Sequence, residues 1–262
     1  SYKLLIAKGE TMRIKFTGTG DGMGIPAVGC KCKLCTRARE EGGKNHRRRV
    51  SILLRNGTET ILFDAPPTIG EMLNRERIFD ITAIFLSHKH FDHIGGVTEF
   101  EYWPKKISVY GNMSVLGNFE ITDRLYEQCK FYVLHDRETL KVGQIKVTPF
   151  EVSHKIPTFG LLFNQNERRI VHFNDKMGLK LEEFERRILK KSNIAIFHTP
   201  GFEGGTDHID VVNVMKIAQK HPTIRFVITH IGHNNFSHEE LVEKAKPYKN
   251  MIVAYDGLEL TA

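Results

Sequence analysis

The sequence predicts an α/β protein in which two β-sheets pack face to face with helices on the outside. Hairpin-forming segments near the start give way to short apolar runs separated by amphipathic helical patterns, as in successive β-α-β units. Several of the apolar runs end in histidine or aspartate, which places metal-type side chains along one sheet edge, where α/β proteins build their sites. With 262 residues, 40% of them apolar, the chain is long enough for a full core. No internal repeat, low-complexity tract or linker marks a boundary, so a single domain over residues 1–262 is expected.

Residues 12–17 (MRIKFT) alternate as a half-buried strand does, and residues 1–11 read as an extension before it. Ser51–Arg55 and Glu59–Phe63 flank Asn56-Gly57, a dipeptide that favours a tight hairpin turn because both residues tolerate positive φ. Ile81–Leu86 is nearly all apolar, as a strand covered on both faces requires. Further strands are expected at Ile107–Tyr110, Gln144–Val152, Phe159–Phe163, Arg168–Phe173, Ile194–Phe197, Arg225–Thr229 and Met251–Tyr255. Helical spacing of apolar residues appears in Lys180–Lys191, Ile209–Lys220 and His238–Lys246.

Composition narrows the function classes. No apolar run reaches the roughly 18 residues of a membrane span, and the start lacks a signal-peptide pattern, so a cytoplasmic protein without a membrane partner is expected. The formal charge of +7 and the run Lys44–Arg49 (KNHRRR) give a nucleic-acid partner a local anchor. Most such runs are solvated loops, and a small phosphorylated substrate fits the same surplus of charge. Of the four cysteines, Cys30, Cys32 and Cys35 crowd one loop where geometry disfavours mutual disulfides. They read as thiolate ligands. A tetrahedral zinc would still need a fourth side chain, which His233 or Cys129 could supply.

The densest chemistry is Ser87–Gly96 (SHKHFDHIGG). Three imidazoles and a carboxylate this close are costly to assemble unless a cation holds them. His88 and His90 alternate as in an extended segment and can address one cation, while Asp92 and His93 follow on a turn and can reach a second. Other expected strands run into His154, Asp175 and His230. The natural division gives His88, His90 and His154 to one cation and Asp92, His93 and His230 to the other, with Asp175 bridging. Two divalent cations about 3.5–4 Å apart activate water and stabilise both oxygens of a phosphoryl displacement.

The HxHxDH run with a later His, Asp and His resembles the metallo-β-lactamase superfamily, which implies a four-layer αβ/βα sandwich and a dinuclear centre of manganese or zinc. The resemblance is nearest the PhnP-type phosphoribosyl cyclic phosphodiesterases, through the CxCxxC loop (Cys30, Cys32, Cys35), Arg47–Arg49, SHKxxTFG (Ser153–Gly160) and THIxH (Thr229–His233). It implies a structural zinc completed by His233 within a loop at 29–49, a catalytic role for His208 beside Asp92, and a homodimer. Asp64 would orient a ligand imidazole from behind; a turn-forming aspartate before Ala65-Pro66-Pro67 is the plain alternative.

The expected activity is therefore metal-dependent hydrolysis of a small cyclic or nucleotide-like phosphodiester. Lys155 is a candidate phosphate contact and His198 a candidate pocket wall, whereas His46, His135, His172, His221 and His238 read as surface or satisfied core histidines. Ribonuclease Z uses the same metal motif on precursor tRNA, but no glycine-rich insertion is present to serve as its tRNA arm. A biosynthesis protein resembling the pyrroloquinoline quinone B protein shares the cysteine loop. A catalytically idle, metal-stabilised binding module is the non-enzymatic alternative.

Overall fold

Apolar residues on both faces of most strands require cover on both sides, and two seven-stranded sheets with helices outside them provide it. The computed structural model describes residues 11–57, 59–178 and 180–262. Of the expected extension over residues 1–11, all but Thr11 lies outside the described residues. The first sheet is built from β1 (Arg13–Gly18), β2 (Ser51–Arg55), β3 (Thr60–Phe63), β4 (Ala83–Phe85), β5 (Ile107–Gly111) and β6 (Cys129–Val133). The second holds β7 (Leu140–Val142), β8 (Ile145–Glu151), β9 (Phe159–Gln165), β10 (Arg168–His172), β11 (Ile194–His198), β12 (Arg225–Thr229) and β13 (Met251–Val253). The last strand, β14 (Glu259–Thr261), returns to the first sheet and pairs with β1.

Each sheet starts antiparallel and becomes parallel, through β3 to β6 in the first and β10 to β13 in the second. The helices are α1 (Lys33–Glu41), α2 (Ile69–Arg75), α3 (Phe91–Ile94), α4 (Met113–Leu116), α5 (Asp123–Gln128), α6 (Glu183–Leu189), α7 (Val211–Gln219) and α8 (His238–Ala245). The period of two decides the layers. Ile52 and Leu54 of β2 meet Phe163 and Val227 between the sheets, while Leu53 turns outward onto Ile69 and Leu73 of α2. Phe173, Phe197 and Phe226 form the corresponding outer core under α6, α7 and α8. The result is the expected four-layer sandwich.

Several boundaries differ from the sequence reading. Arg55 pairs with Thr60, so the β2–β3 loop has four residues rather than a tight two-residue turn; Asn56 closes it by accepting the Glu59 N–H on Oδ1 at 2.8 Å. Lys180–Lys191 shortens to Glu183–Leu189 because Glu182 and Glu185 form a capping box that starts the helix late. Strands β6, β7 and β14 and helices α1 to α5 were not expected. They are short or sparsely apolar: α1 buries only Cys35 and Ala38. The Lys44–Arg49 run is not a solvated loop, since Arg47 is buried. Among the described residues no helix is long and apolar enough to cross a membrane.

One buried ion pair ties the helical layer to the edge where the parallel strands end. Lys176, just beyond β10, places Nζ 3.0 Å from Glu185 Oε2 of α6, with side chains 1% and 2% exposed. Neither charge has water to fall back on. Glu185→Gln is therefore expected to lower stability by about 3–5 kcal/mol by stranding the ammonium, whereas replacing both residues by methionine and leucine should cost far less. Chemical denaturation of the three proteins checks this, and equal losses would contradict it.

Candidate metal centre

The parallel strands of both sheets end at one edge, and their loops turn sharply to aim polar groups inward. Asp64 after β3, Asn174 after β10 and His230 after β12 have φ of 60°, 51° and 59°. Such left-handed backbone at a non-glycine residue costs about 1–3 kcal/mol and persists where the surroundings enforce it. The loops are laced together. Met177 N–H donates to Ser153 O at 2.6 Å, joining the Asp175 and His154 loops, and Ile209 N–H donates to Lys176 O at 2.8 Å, holding the segment that bears His208.

The Asp175 carboxylate is the centre of the arrangement. Its Oδ2 lies 3.3 Å from His88 Nε2, 3.4 Å from His93 Nε2 and 3.2 Å from His208 Nε2. Its Oδ1 accepts the His198 Nδ1–H at 2.5 Å and stands 3.9 Å from His230 Nε2. Asp92 Oδ2 approaches His93 Nε2 at 3.2 Å and His230 Nε2 at 3.3 Å. His154 completes the other side, its ring 5.2 Å from that of His88 and 5.3 Å from that of His90.

Asp64 sets the tautomers. It accepts the Ser87 N–H on Oδ1 at 2.8 Å, and on Oδ2 the Ser87 hydroxyl at 2.9 Å and His93 Nδ1–H at 2.7 Å. With its proton given to Asp64, the Ser87 oxygen takes the Nδ1–H of His88 at 2.9 Å. Both imidazoles thus turn Nε2 toward Asp175. Such carboxylate and hydroxyl partners are how proteins orient metal-binding histidines.

The donor set fits divalent cations. His88 Nε2 and His90 Nδ1 converge to 2.8 Å, close enough for both nitrogens to address one cation. Both nitrogens of His154, Nε2 of His93, Nε2 of His208 and Nδ1 of His230 are buried without a hydrogen-bond partner. Burial lowers the pKa of His88 and His90 and holds His154 down to about 4, so these rings are neutral and ligand-ready near neutral pH. On the other side burial opposes the charged form of His93, yet Asp92, Asp175 and Asp64 outweigh it and raise its pKa. Burial likewise works to raise Asp92 and Asp175, but the neighbouring histidines hold both carboxyls low. The pocket carries the negative potential and nitrogen lone pairs that a cation satisfies. His88, His90, His154 and Asp175 form one group of ligand atoms, and His93, Asp175, His198 and His230 a second.

His198 departs from expectation. It was expected on the pocket wall, but it is completely buried. Its two nitrogens are spent on Asp175 and on His172, whose Nε2 lies 2.8 Å from His198 Nε2. His172, read as a role-free core histidine, stands behind the centre in that chain. The signal was legible in principle: β10 and β11 are adjacent parallel strands that both end in histidine. Lys155 and Asp207 form an exposed ion pair at 2.7 Å beside His208. His46, His135 and His221 lie away from the centre, and His238 packs against Arg47.

The cysteine loop forms a separate cluster. His233 Nδ1 lies 3.2, 3.8 and 3.6 Å from the sulfurs of Cys30, Cys32 and Cys35. Bonds of about 2.3 Å to sulfur and 2.0 Å to nitrogen at a tetrahedral zinc would separate S and N by about 3.6 Å. Backbone N–H groups of Cys35 and Ala27 point at Cys32 Sγ and Cys35 Sγ, at 3.4 and 3.3 Å. The Cys35 N–H lowers the Cys32 thiol to about 6, against burial and with help from His233. Cys129, the other candidate, is buried in β6 among the outer core of the first sheet.

A family model described as a β-lactamase superfamily domain matches residues 59–231. The chain is 25% identical over 264 residues to an octanoyltransferase from Porphyromonas gingivalis, a match covering 95% of this chain and 51% of that protein. It is 29% identical over 166 residues to a ribonuclease Z from Pyrococcus horikoshii, covering 55% and 53% respectively. The chain spans about half the length of these curated relatives. Among solved structures, a diphosphatase from the PhnP family superposes with a TM-score of 0.83 at 23% identity, covering 95% of this chain and 97% of that one. That likeness shows the shared fold.

Asp64→Ala and His198→Ala are each expected to weaken divalent-cation binding about 10–100-fold, because each releases a ligand from its enforced orientation. Chelator-competition titrations measure the change, and unchanged affinity in both would contradict the roles given to these residues. Cys32→Ala should lower folding stability or yield while the folded fraction keeps its cations at Asp175. Unchanged stability together with unchanged total zinc would refute a structural zinc at Cys30.

Proposed function

The chain belongs to the β-lactamase superfamily, whose model matches residues 59–231, and from that membership and the side chains converging on Asp175 we propose that it is a metal-dependent phosphodiesterase. The proposed substrate is a small cyclic or nucleotide-like phosphodiester. The observation that carries the reading is the placement of one carboxylate oxygen, Asp175 Oδ2, within 3.4 Å of three imidazoles, two from the segment after β4 and one from the loop before α7. His88, His90, His154 and Asp175 would hold one cation, and Asp92, His93 and His230, with Asp175 shared, a second. Manganese or zinc at these positions supplies Lewis acidity toward water and toward the phosphate oxygens. A structural zinc is assigned to Cys30, Cys32, Cys35 and His233.

The remaining steps fall to the chain's own groups. Asp64 and Ser87 keep His88 and His93 in the tautomers that face the centre, and His198 occupies Asp175 Oδ1 so that Oδ2 stays directed inward. His208, on the solvent side with 19% of its side chain exposed, is placed to hand a proton to the departing ribose oxygen as the P–O bond breaks. Lys155, paired with Asp207 beside it, is placed to meet a phosphate oxygen. The neighbour of the same fold is named a diphosphatase from the PhnP family, in keeping with a phosphate-bearing substrate. The relative matched over 95% of this chain is named for octanoyl transfer, which favours an acyl thioester as the second reading.

Turnover of bis(p-nitrophenyl) phosphate, ribose 1,2-cyclic phosphate, 2′,3′-cyclic nucleotides, precursor tRNA and an octanoyl thioester, alongside metal analysis, tests the reading. Hydrolysis of a cyclic phosphodiester is expected. His208→Ala should lower kcat about 10²–10⁴-fold at unchanged metal content, and Asp92→Ala should lose both metal and activity. Cleavage confined to tRNA or to the thioester would replace the reading.

A further inference from the structure

The Lys44–Arg49 run takes no part in the centre around Asp175, yet the fold fixes it from several directions. Arg47 points inward, donating to Thr19 Oγ1 at 2.8 Å and Ala254 O at 2.6 Å and meeting His238 Nδ1 at 3.2 Å. Its main chain exchanges hydrogen bonds with Ile25 at 2.7 and 2.9 Å, and Arg48 O accepts the Gly20 N–H at 2.6 Å. Asn45, also buried, takes the His238 N–H at 2.7 Å. Burying a guanidinium is costly, and burial pushes Arg47 down to about 10. What the cost secures is an anchored backbone from which His46 and Arg48 project the other way, as alternation along extended chain dictates.

Those outward side chains line two adjoining cavities of about 280 and 610 Å³, which share His46, Arg48 and Glu71. Arg49 belongs to the smaller, and Lys44, Arg75 and Tyr255 to the larger. The positive charge there is not balanced. Among the described residues Lys44, Arg49 and Arg75 have no carboxylate within 4.0 Å. Arg48 pairs with Asp256 at 3.2 Å, but burial pushes that carboxyl up to about 7, leaving it a partial counter-charge at neutral pH. Glu71 is the other acid on the wall. Tyr255 adds an aromatic ring to the wall, one face of it capped by Lys44 Nζ at 4.2 Å.

The groove begins at the rim of the metal centre. Gly22 O accepts the Arg49 Nε–H at 2.8 Å, while a Cβ on Gly22 would lie 3.2 Å from the Asp92 carboxylate. One glycine of backbone therefore separates the first groove cation from a side chain of the centre. A side chain at Gly22 would crowd the Asp92 carboxylate.

We propose that this groove is a subsite for a second phosphate of the substrate, tethered to the scissile phosphodiester. The inference deepens the phosphodiesterase reading and rests on it. It narrows the substrate to nucleotide-like molecules with at least two phosphates, a chemistry shared by dinucleoside polyphosphates and short oligoribonucleotides.

The test uses Lys44→Glu combined with Arg75→Glu, both exposed. Equilibrium binding of a labelled dinucleoside tetraphosphate and a labelled triribonucleotide is compared with that of the wild type, and KM is measured for each unlabelled compound and for bis(p-nitrophenyl) phosphate. Affinity for one or both probes should fall about tenfold, more steeply at low salt, and the KM rise should exceed that for the single-phosphate substrate by a similar factor. The probe that responds identifies the natural source. Unchanged affinity for both probes, or equal effects on one- and two-phosphate substrates, overturns the groove. Binding that weakens in the variant while the wild type cleaves no phosphodiester retains the anion site and removes the phosphodiesterase reading instead.

Discussion

Burial of the ionised Asp175 is the constraint on which the rest of the site depends. A carboxylate 2% exposed is tolerated only if its lost hydration is replaced by directed partners. His198 donates to it directly, and the rings of His88, His93, His208 and His230 surround it within 3.9 Å. Each comes from the end of a strand or the loop after one, so two sheets must meet in the right register for the charge to be affordable at all. The Lys176–Glu185 pair extends the same logic one residue further along, fastening the loop to α6. Stability of the sandwich and geometry of the centre are in this sense one problem.

The division of labour between the two Asp175 oxygens follows from that packing. His198 occupies Oδ1 and is itself held from behind by His172, so the carboxylate cannot rotate to exchange its oxygens without breaking a hydrogen bond in a dry environment. Oδ2 is left to the rings of His88, His93 and His208. Asp64 enforces the same directionality from the other sheet. Orientation thus enters from both sheets, and the ligands are aimed before any cation is considered.

Sequence periodicity was enough for the sandwich, because covered strands such as Ile81–Leu86 need apolar residues on both faces and few other structures do. The short helices escaped it. In α3 three of four residues are chemical or half-exposed rather than packed, and α1 has two buried positions in nine residues. His88 to His93 announced a centre by local density. Asp64 was placed only through a resemblance, and His172 was passed over, because their roles depend on hydrogen bonds across 29 and 26 residues of sequence. Arg47 shows the converse failure: a basic run reads as solvated, and nothing local says that its middle member turns inward to hold Thr19 and Ala254.

The turn from His230 to His233 explains why the cysteine cluster and the centre belong together. His230 leaves β12 in a left-handed conformation and faces Asp92, and three residues later His233 faces the three sulfurs. Between them Gly232 passes so close to Asp21 that a Cβ would lie 2.7 Å from its carboxylate oxygen. Asp21 in turn caps the Met23 and Gly24 N–H groups at 3.0 and 3.1 Å, shaping the Gly22 turn that touches Asp92 and carries Arg49. A cation in the cysteine cluster would fix His233, hence the path of Gly232, hence the rim between the centre and the basic groove. On this geometry the cluster does more than staple a loop: it is joined through Gly232 and Asp21 to the Gly22 turn beside Asp92. Lys44, Arg75 and Tyr255 lie beyond that turn, so under the proposed subsite a change there would alter substrate preference without disturbing the residues around Asp175.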